Sequence, residues 1–357
     1  MRQILFRINM HQPWLPYVEE PTSGLPVIGS IWLLVALFVG WLGWTFYRKR
    51  GTKWGPDEHS ALSTFGTVTV VALLAPFFLP MATVPVFGYG AMLLLSFWSA
   101  GTYGAWRARQ QGIPEKLIWD LAITILMSGI VGARIFYLVQ KRETVFADVH
   151  TVGQFLFTLV NLPDGGIVLY GGVIGGAIAF LAFCRHHKLS VLNIADIVTP
   201  SVFLGVGFGR IGCFLNGCCY GDFCDLPWSV QYPHGTNTFD ALVMRGFISA
   251  ADAATPPMHP SQIYSSINGF LIAILTANFF AVRPQVGSVL ALGWILYPIL
   301  RFLEERVRAD ELGQFDTGLT ISQLISLGLG AMGIIFAIYL AFYGQKVTAR
   351  SKIQSTT

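Results

Sequence analysis

The chain has 357 residues, of which 54% are hydrophobic and only 12% are charged, about half the charged fraction of an ordinary soluble domain. So few charges cannot cover the surface of a soluble protein of this length, which excludes that class. The net charge is +4, and no segment combines basic with aromatic residues as nucleic-acid-binding surfaces do. We therefore predict an all-α, polytopic membrane protein with no nucleic-acid partner.

Long uncharged runs predict the membrane-spanning helices, because a helix needs about 20 apolar residues to cross a bilayer. The uncharged stretch from Ser60 to Trp106 is about twice that length and must contain two spans, with a break near Pro85. Nine spans are predicted: Val27–Tyr47, Ala61–Thr83, Tyr89–Ala105, Leu121–Val139, Val168–Cys184, Ile194–Phe208, Ile263–Val282, Val286–Leu300 and Leu319–Tyr343.

The distribution of lysine and arginine predicts how these spans are oriented. With the carboxyl terminus inside, 13 basic residues lie in inside segments and nine in outside segments. The amino terminus is therefore predicted outside and the carboxyl terminus in the cytoplasm. The longest outside segments cover about residues 209–262 and 140–166. Within them only Val152–Leu162 has the pattern of a helix lying on the membrane surface.

Arg210 lies in the sequence GRIGCFLNGCCYG at residues 209–221, which we call the glycine signature. Five of its positions are glycine or asparagine, which allows positive φ angles and a close approach of the backbone to a ligand. One alternative is an arginine that only snorkels to the interface over a glycine-rich helix end. An arginine near the membrane is costly, and its guanidinium fork suits a phosphodiester, which favours phosphate binding.

A second group of charges follows the eighth predicted span. If helical, Tyr297, Arg301, Glu305 and Arg308 fall on one face of the helix. A ladder of solvated ion pairs would explain this spacing equally well. Two arginine sites on the same predicted side of the membrane nevertheless favour an anionic ligand.

Two charges lie within predicted spans. Because an unpaired buried charge is expensive, we expect Asp196 and Arg134 to pair with each other or with the charged face around Arg301.

Seven blocks of the sequence, in the same order, resemble the prolipoprotein diacylglyceryl transferase family over about residues 84 to 343. The blocks are FGYG at 87–90, GARIFY at 132–137, YGG at 170–172, DIVTP at 196–200, the glycine signature, HPSQIY at 259–264, and Arg301 with its charged face. The resemblance implies a seven-helix transferase core at residues 84–345, which contains an extracytoplasmic loop region at 209–262. A two-span extension at 1–83 and a cytoplasmic tail at 346–357 flank this core.

The resemblance also implies an activity and a location. The protein would transfer the diacylglyceryl group of phosphatidylglycerol to the lipobox cysteine of a preprolipoprotein, forming a thioether and releasing glycerol 1-phosphate. It would work in the bacterial cytoplasmic (inner) membrane with its active site facing the extracytoplasmic side. Its partners would be phosphatidylglycerol, lipobox peptides and membrane lipid, and neither a metal ion nor another cofactor is required.

The resemblance assigns the site residues by position. Arg210 and Arg301 would hold the phosphate, and Tyr170 stands where the family usually has a histidine that serves as a base. Either the Tyr170 phenolate or His259 would then replace that base. The expected substrate-binding residues are Tyr89, Asn216, Tyr297, Glu305, His259 and Arg308.

Four of the five cysteines lie within 12 residues: Cys213, Cys218, Cys219 and Cys224. Cys213 replaces the asparagine and Cys218 the glutamate that are usual in the family. A disulfide among Cys218, Cys219 and Cys224, or packing as small hydrophobic residues, is favoured over a four-cysteine zinc site, because the usual C-x2-C pairs are missing.

Two competing functions remain open. Tyr170 and the cysteines suit an enzyme on the same scaffold that transfers a phospholipid-derived group to another acceptor. An anion transporter is the other alternative. Against the transporter, the polar residues concentrate at one face, and the two halves of the chain lack matching broken helices.

Overall fold

The computed structural model describes residues 4–9, 18–19, 26–29, 83–147, 151–160, 166, 168–308 and 318–347, together with five residues between 32 and 40. The strands are β1 (Ile4–Asn9), β2 (Val18–Glu19), β3 (Pro26–Gly29) and β4 (Thr83–Phe87). The helices are α1 (Gly88–Gln110), α2 (Glu115–Gln140), α3 (Arg142–Val145), α4 (Val152–Val160), α5 (Leu169–His186), α6 (Val191–Asn216), α7 (Asn237–Met244), α8 (Ser261–Val282), α9 (Ser288–Glu304) and α10 (Ile321–Tyr343). A 3-10 turn at Glu305–Val307 follows α9.

Five helices in the described part of the chain are long and apolar enough to cross a membrane. They are α2, α5, α6, α8 and α10, and each overlaps one of the predicted spans. The predicted spans Tyr89–Ala105 and Val286–Leu300 are also helical, as α1 and α9, although α9 has only 17 residues. The protein is thus a mostly helical, polytopic membrane protein, and the total of nine spans stays a prediction.

The two predicted amino-terminal spans agree less well with the structure. Val27 lies in strand β3, where it pairs with Arg7 of β1, so a helix beginning at Val27 was a wrong prediction. The physical reason is that the branched side chains of Val27 and Ile28 suit a strand that has a partner in a sheet. The described residues at 32, 35, 36, 39 and 40, within the same predicted span, are helical. The predicted span Ala61–Thr83 lies outside the described residues apart from Thr83, which begins β4. Pro85, the predicted break, lies within β4.

The chain divides into two compact units. The first contains the described parts of residues 1–93 together with residues 211–219 and 229–258. Its four strands form one sheet in the order β2-β3-β1-β4, with β1 parallel to β3 and antiparallel to β4. Helix α7 belongs to this unit and is preceded by the N-cap residue Thr236, whose side chain accepts a hydrogen bond from the Phe239 N–H. This helix was missed, although a threonine at an N-cap position is a recognisable start signal.

The second unit contains the described parts of residues 94–210, 220–228 and 259–357, and glycines set its closest helix contacts. On α2 and α5, a Cβ at Gly132 or at Gly171 would collide with the backbone of the other helix. On α6 and α8, a Cβ at Gly269 would lie 2.8 Å from the backbone nitrogen of Gly207. Small residues at these positions let the helix backbones approach closely, as is usual in membrane proteins.

A buried polar cluster joins the start of α6 to α9. The Asp196 carboxylate, which is 0% exposed, lies 2.8 Å from Arg283 Nη1. It also accepts hydrogen bonds from the backbone N–H groups of Gly287, Val289 and Leu290, at 2.8 to 3.0 Å. These are the unpaired donors of the first turn of α9, which a carboxylate satisfies well. We call Asp196, Arg283 and the start of α9 the Asp196 cluster.

Arg134 has a different set of partners, so the predicted pairing of Asp196 with Arg134 or with the Arg301 face was wrong. The Arg134 guanidinium donates to the carbonyl oxygens of Thr158, Leu159 and Gly166, at 2.5 to 3.2 Å. The first two lie in the last turn of α4, where unpaired carbonyls attract a cation. Helix α4 confirms a helix in the predicted stretch Val152–Leu162, and its position on the membrane surface stays a prediction.

Candidate functional site

A cleft in the second unit lies between the carboxyl end of α6, the first half of α8 and the second half of α9. Its lining combines two arginines and a carboxylate with apolar and small residues: Val206, Arg210, Ser265, Asn268, Gly269, Ile272, Tyr297, Leu300, Arg301 and Glu304. We call it the arginine cleft. The structure therefore brings together three of the predicted site residues, Arg210, Tyr297 and Arg301.

Arg210 stands out within the arginine cleft because of its hydrogen-bonding state. Its side chain is half-buried, and it makes no hydrogen bond or ion pair with any described residue. A guanidinium carries five N–H donors in a fixed fork. Arg210 thus presents N–H groups to the cleft, and an anion bound there could accept hydrogen bonds from them.

Arg301 is held by partners on both sides. It forms an ion pair with Glu305, and its Nη2 donates to Ser322 Oγ at 3.1 Å. Glu305 is only 4% exposed, accepts a hydrogen bond from Thr320 Oγ1 at 3.0 Å, and lies 3.8 Å from Arg308 Nε. A carboxylate between two arginines fixes both guanidinium groups while leaving a net positive charge.

The predicted helical face is only partly correct. Helix α9 ends at Glu304 and gives way to the 3-10 turn, so Arg308 has extended backbone. Gly221 of the glycine signature pairs with Arg308 in an antiparallel bridge. Arg308 reaches Glu305 because the turn is tighter than an α-helix, and not through continued helical spacing.

Gly221 is packed between two other backbone segments. A Cβ at this position would lie 2.6 Å from the carbonyl oxygen of His259 and 2.7 Å from that of Val307. The Gly221 N–H donates to the His259 carbonyl at 3.2 Å, and the Asp222 N–H donates to the Val307 carbonyl at 2.9 Å. A glycine is therefore required here for the close approach of the chain, which sets the positions of His259 and Arg308.

His259 faces a different group from the arginines. Its Nδ1 lies 3.4 Å from the hydroxyl oxygen of Tyr264, which also accepts a hydrogen bond from Trp228 Nε1 at 2.7 Å. His259 is not among the described residues that line the arginine cleft.

Tyr170 lies in the first turn of α5 and is 52% exposed. It too is absent from the described lining of the cleft. The structure thus gathers the arginines without bringing either predicted base among them.

Glu304 is a site residue that the sequence analysis missed. It is buried, and its carboxylate accepts hydrogen bonds from Ser265 Oγ at 2.7 Å and from Asn268 Nδ2. Ser265 and Asn268 are three residues apart in α8, so they share one helix face. Two polar residues at that spacing in a predicted span were the available signal for a buried polar partner.

Two predicted site residues, Tyr89 and Asn216, belong to the first unit. The Tyr89 ring lies against Gly212, where a Cβ would be 3.1 Å from Tyr89 Cδ2. The Asn216 carbonyl accepts a hydrogen bond from Asn237 Nδ2 at 3.1 Å.

The glycine signature is more helical than predicted. Helix α6 continues to Asn216, so the loop region begins after that residue and not at Gly209. Positive φ angles occur only at Gly217 and Cys219 among the described residues of the signature. The physical reason is that a glycine such as Gly209 costs only about 1 kcal/mol in a helix, which tertiary packing offsets.

The five cysteines are all reduced thiols, so the predicted disulfide is not formed. The sulfur atoms of Cys213, Cys218 and Cys219 lie within 4.8 Å of one another. The pKa of the Cys218 thiol lies above its ordinary value. A hydrogen bond with Cys213 lowers this pKa, but a hydrogen bond with Cys219 and burial outweigh that effect.

Comparisons with known proteins identify the family of this chain. The family model for prolipoprotein diacylglyceryl transferase matches residues 76–339. A relative from Clostridium tetani named phosphatidylglycerol–prolipoprotein diacylglyceryl transferase is 34% identical over 73% of this chain and 96% of its own length. A second, from Clostridium perfringens and numbered 2 under the same name, is 31% identical over 74% and 94%.

A third relative with this name, from Rhodopirellula baltica, is 26% identical, and its match covers 89% of this chain and 87% of its own length. This match extends beyond the residues of the family model. With the family model covering more than half of the sequence, the chain belongs to the prolipoprotein diacylglyceryl transferase family.

Proposed function

We propose that this protein transfers the diacylglyceryl group of phosphatidylglycerol to the lipobox cysteine thiol of a preprolipoprotein. In this reaction the cysteine sulfur attacks the glycerol carbon that carries the phosphate, and a carbon–sulfur bond replaces the carbon–oxygen bond. Glycerol 1-phosphate leaves with the bonding electron pair, and the thiol proton passes to a base or to water. The observation that carries the proposal is the arginine cleft, lined both by Arg210, which has no partner among the described residues, and by the anchored Arg301.

The two arginines would have different roles toward the phosphate. Arg210 offers a fork of N–H donors that no described residue occupies, which suits bidentate binding of a phosphodiester. Arg301, fixed by Glu305 and Ser322, supplies a positive charge whose position does not have to be organised during the reaction. Both charges would stabilise the negative charge that develops on the leaving phosphate, and such stabilisation is often the largest contribution to catalysis.

The remaining predicted residues would position substrates. Tyr297 lines the cleft, and Arg308 and Glu305 keep Arg301 in place. We assign Tyr89, Asn216 and His259 to contacts with the lipid or the peptide, as the resemblance implies. Glu304 joins α8 to α9 through Ser265 and Asn268, and so maintains two walls of the cleft.

Tyr170 takes the position of the family histidine, and we assign it a contact with the acceptor peptide and not the role of base. A phenol has a pKa near 10, so it is a poor base at neutral pH. Its exposure at the start of α5 supports this assignment, because strong charge partners would be needed to favour the phenolate.

We further propose nine spans, an outside amino terminus, and an arginine cleft that faces the extracytoplasmic side of the bacterial inner membrane. Residues 84–345 would form the transferase core, residues 1–83 an extension and residues 346–357 a cytoplasmic tail. Support comes from Arg185, Lys188 and Arg283, which lie at the α6 end that carries Asp196. Basic residues mark cytoplasmic segments, and Arg210 lies at the other end of α6.

The decisive experiment incubates the purified protein in detergent with a lipobox peptide and with phosphatidylglycerol labelled in the glycerol carbons of its diacylglyceryl group. We expect labelled peptide that resists thioester and ester cleavage, in amounts equal to the glycerol 1-phosphate released. A peptide with serine in place of the lipobox cysteine is the matched control and should stay unlabelled. Glycerol 1-phosphate release without labelled peptide would favour the alternative enzyme with another acceptor.

A labelling experiment tests the orientation. Single cysteines placed at His234 and at Lys188, in a protein whose native cysteines are replaced by serine, should react with an impermeant maleimide from opposite sides of the membrane. Reaction of both from the same side would contradict the proposed topology.

A further inference from the structure

Three cysteines that the proposed reaction does not use converge at the carboxyl end of α6. The sulfur atoms of Cys213, Cys218 and Cys219 lie within 4.8 Å of one another. All three residues belong to the first unit and are half-buried. Each can offer one soft sulfur ligand to the same point in space.

The backbone turns sharply in order to bring these sulfurs together. Gly217 has a φ of 66° and Cys219 a φ of 58°, and the Cys218 N–H donates to the Cys213 carbonyl at 3.1 Å. A left-handed conformation is uncommon for a residue with a side chain. Such strain persists where the surroundings impose it, and it clusters at functional sites.

Two side chains at the start of α7 hold this turn in place through hydrogen bonds to its backbone carbonyls. The buried Thr238 donates through Oγ1 to the Gly217 carbonyl at 2.7 Å, and Asn237 Nδ2 donates to the Asn216 carbonyl at 3.1 Å. The three thiols are therefore held by a preformed backbone and do not need to be gathered when a ligand arrives.

From this geometry we propose that Cys213, Cys218 and Cys219 form a binding site for one Cu⁺ ion. Three sulfurs bound to one ion at about 2.3 Å would lie about 4 Å apart, so a small rotation of the side chains closes the site. Soft thiolates select Cu⁺ or Zn²⁺. Structural zinc sites have four ligands, whereas this group holds three ligands within the described residues, which favours Cu⁺ over Zn²⁺.

A disulfide is the main alternative use of these cysteines. It would join two sulfurs at about 2.05 Å and would leave the third without a role. The shared approach of all three sulfurs instead matches a single ligand at the centre of the group.

The test is a titration of the full-length, reduced protein in detergent with Cu⁺ buffered by bicinchoninate, under anaerobic conditions. We expect one Cu⁺ per chain, with a sulfur-to-copper charge-transfer band in the ultraviolet. Cys213→Ser, Cys218→Ser and Cys219→Ser should each weaken binding by about 100-fold or more, since loss of a direct ligand should cost at least as much as loss of a group that orients a ligand. Cys184→Ala, which removes a cysteine of the second unit, should bind like the parent protein. Gel filtration of each variant verifies that it is folded.

Four results would overturn the proposal. One is the absence of saturable Cu⁺ binding, and another is equal affinity in the three serine variants and in Cys184→Ala. A third is a preference for Zn²⁺ with loss of binding in Cys224→Ser, which would indicate a four-cysteine zinc site. The last is a count of three reactive thiols in place of five in protein purified without reductant, which would indicate a disulfide.

Discussion

The two ends of helix α6 carry charges of opposite sign in very different surroundings. Near its start, the Asp196 carboxylate is completely enclosed and is bound by Arg283 and by three backbone N–H groups. About 21 Å along the helix, at 1.5 Å per residue, Arg210 lines a cleft and has no partner among the described residues.

The difference shows how this protein separates structural charges from reactive ones. A buried ion pair whose hydrogen bonds are all made holds helices together, but it has nothing left for a ligand. An arginine whose donors are unpaired contributes little to the fold and is available to bind an anion. Substitutions at four positions or pairs of positions should separate the two kinds of charge experimentally.

The largest effect is expected at the Asp196 cluster. Asp196→Ala leaves Arg283 buried without a carboxylate partner and removes the acceptor for the N–H groups of the first turn of α9. The free energy of unfolding should therefore fall by about 3–5 kcal/mol. Thermal unfolding in detergent measures the change. The exposed Asp120→Ala is the control, with an expected change below about 0.5 kcal/mol. A double variant, Asp196→Leu with Arg283→Met, should be more stable than the single variant, and equal stability would contradict a buried ion pair.

Arg210→Ala tests the other end of the helix. It should lower kcat/KM for transfer by about 100-fold or more, because a charge-assisted contact to the leaving phosphate is lost. The melting temperature should hardly change, since Arg210 makes no hydrogen bond or ion pair with the residues that the structure describes. Arg210→Lys should recover little activity because it keeps the charge but loses the fork. The exposed Arg306→Ala should turn over normally, and normal turnover by Arg210→Ala would refute the phosphate assignment.

Substitutions at two glycines of the signature test the role of close backbone packing without changing any charge. Gly221→Ala forces apart the backbones at His259 and Val307, and overpacking of this kind costs about 1–3 kcal/mol. We expect a loss of transfer activity of about tenfold, through displacement of Arg308. Gly209→Ala is the matched control, because its Cβ would meet nothing within 4 Å, and it should keep full activity. Equal losses in both variants would show that close packing at Gly221 is not what matters.

The smallest effect is expected at Tyr170. If Tyr170 only contacts the acceptor, Tyr170→Phe should keep kcat within about threefold and leave the pH optimum unchanged, because a phenol is a poor base far below its pKa. Tyr170→His, which restores the usual family residue, should retain or raise activity. A large loss in Tyr170→Phe together with a shifted pH profile would instead identify Tyr170 as the base.

The sequence predicted the apolar helices of the second unit and the two arginines that line the cleft. Both predictions depend on local information, namely a run of apolar residues and a rare charge beside it. It did not predict Glu304 as part of the cleft, because its partners Ser265 and Asn268 lie on another helix, 39 and 36 residues earlier. Helix α7 was missed because its short apolar pattern resembles a loop until the Thr236 cap is recognised.

By itself, the sequence determined that this chain crosses a membrane in helices, because every backbone hydrogen bond within lipid must be satisfied inside the segment that carries it. Which charges pair was decided only by the tertiary structure. Asp196 pairs with Arg283, 87 residues away, because the packing of α6 beside α8 and α9 brings these groups to one end. The same packing gives Arg210 no partner in the described part of the chain, since an ion pair depends on which helices are neighbours, and hydropathy along the chain does not encode that.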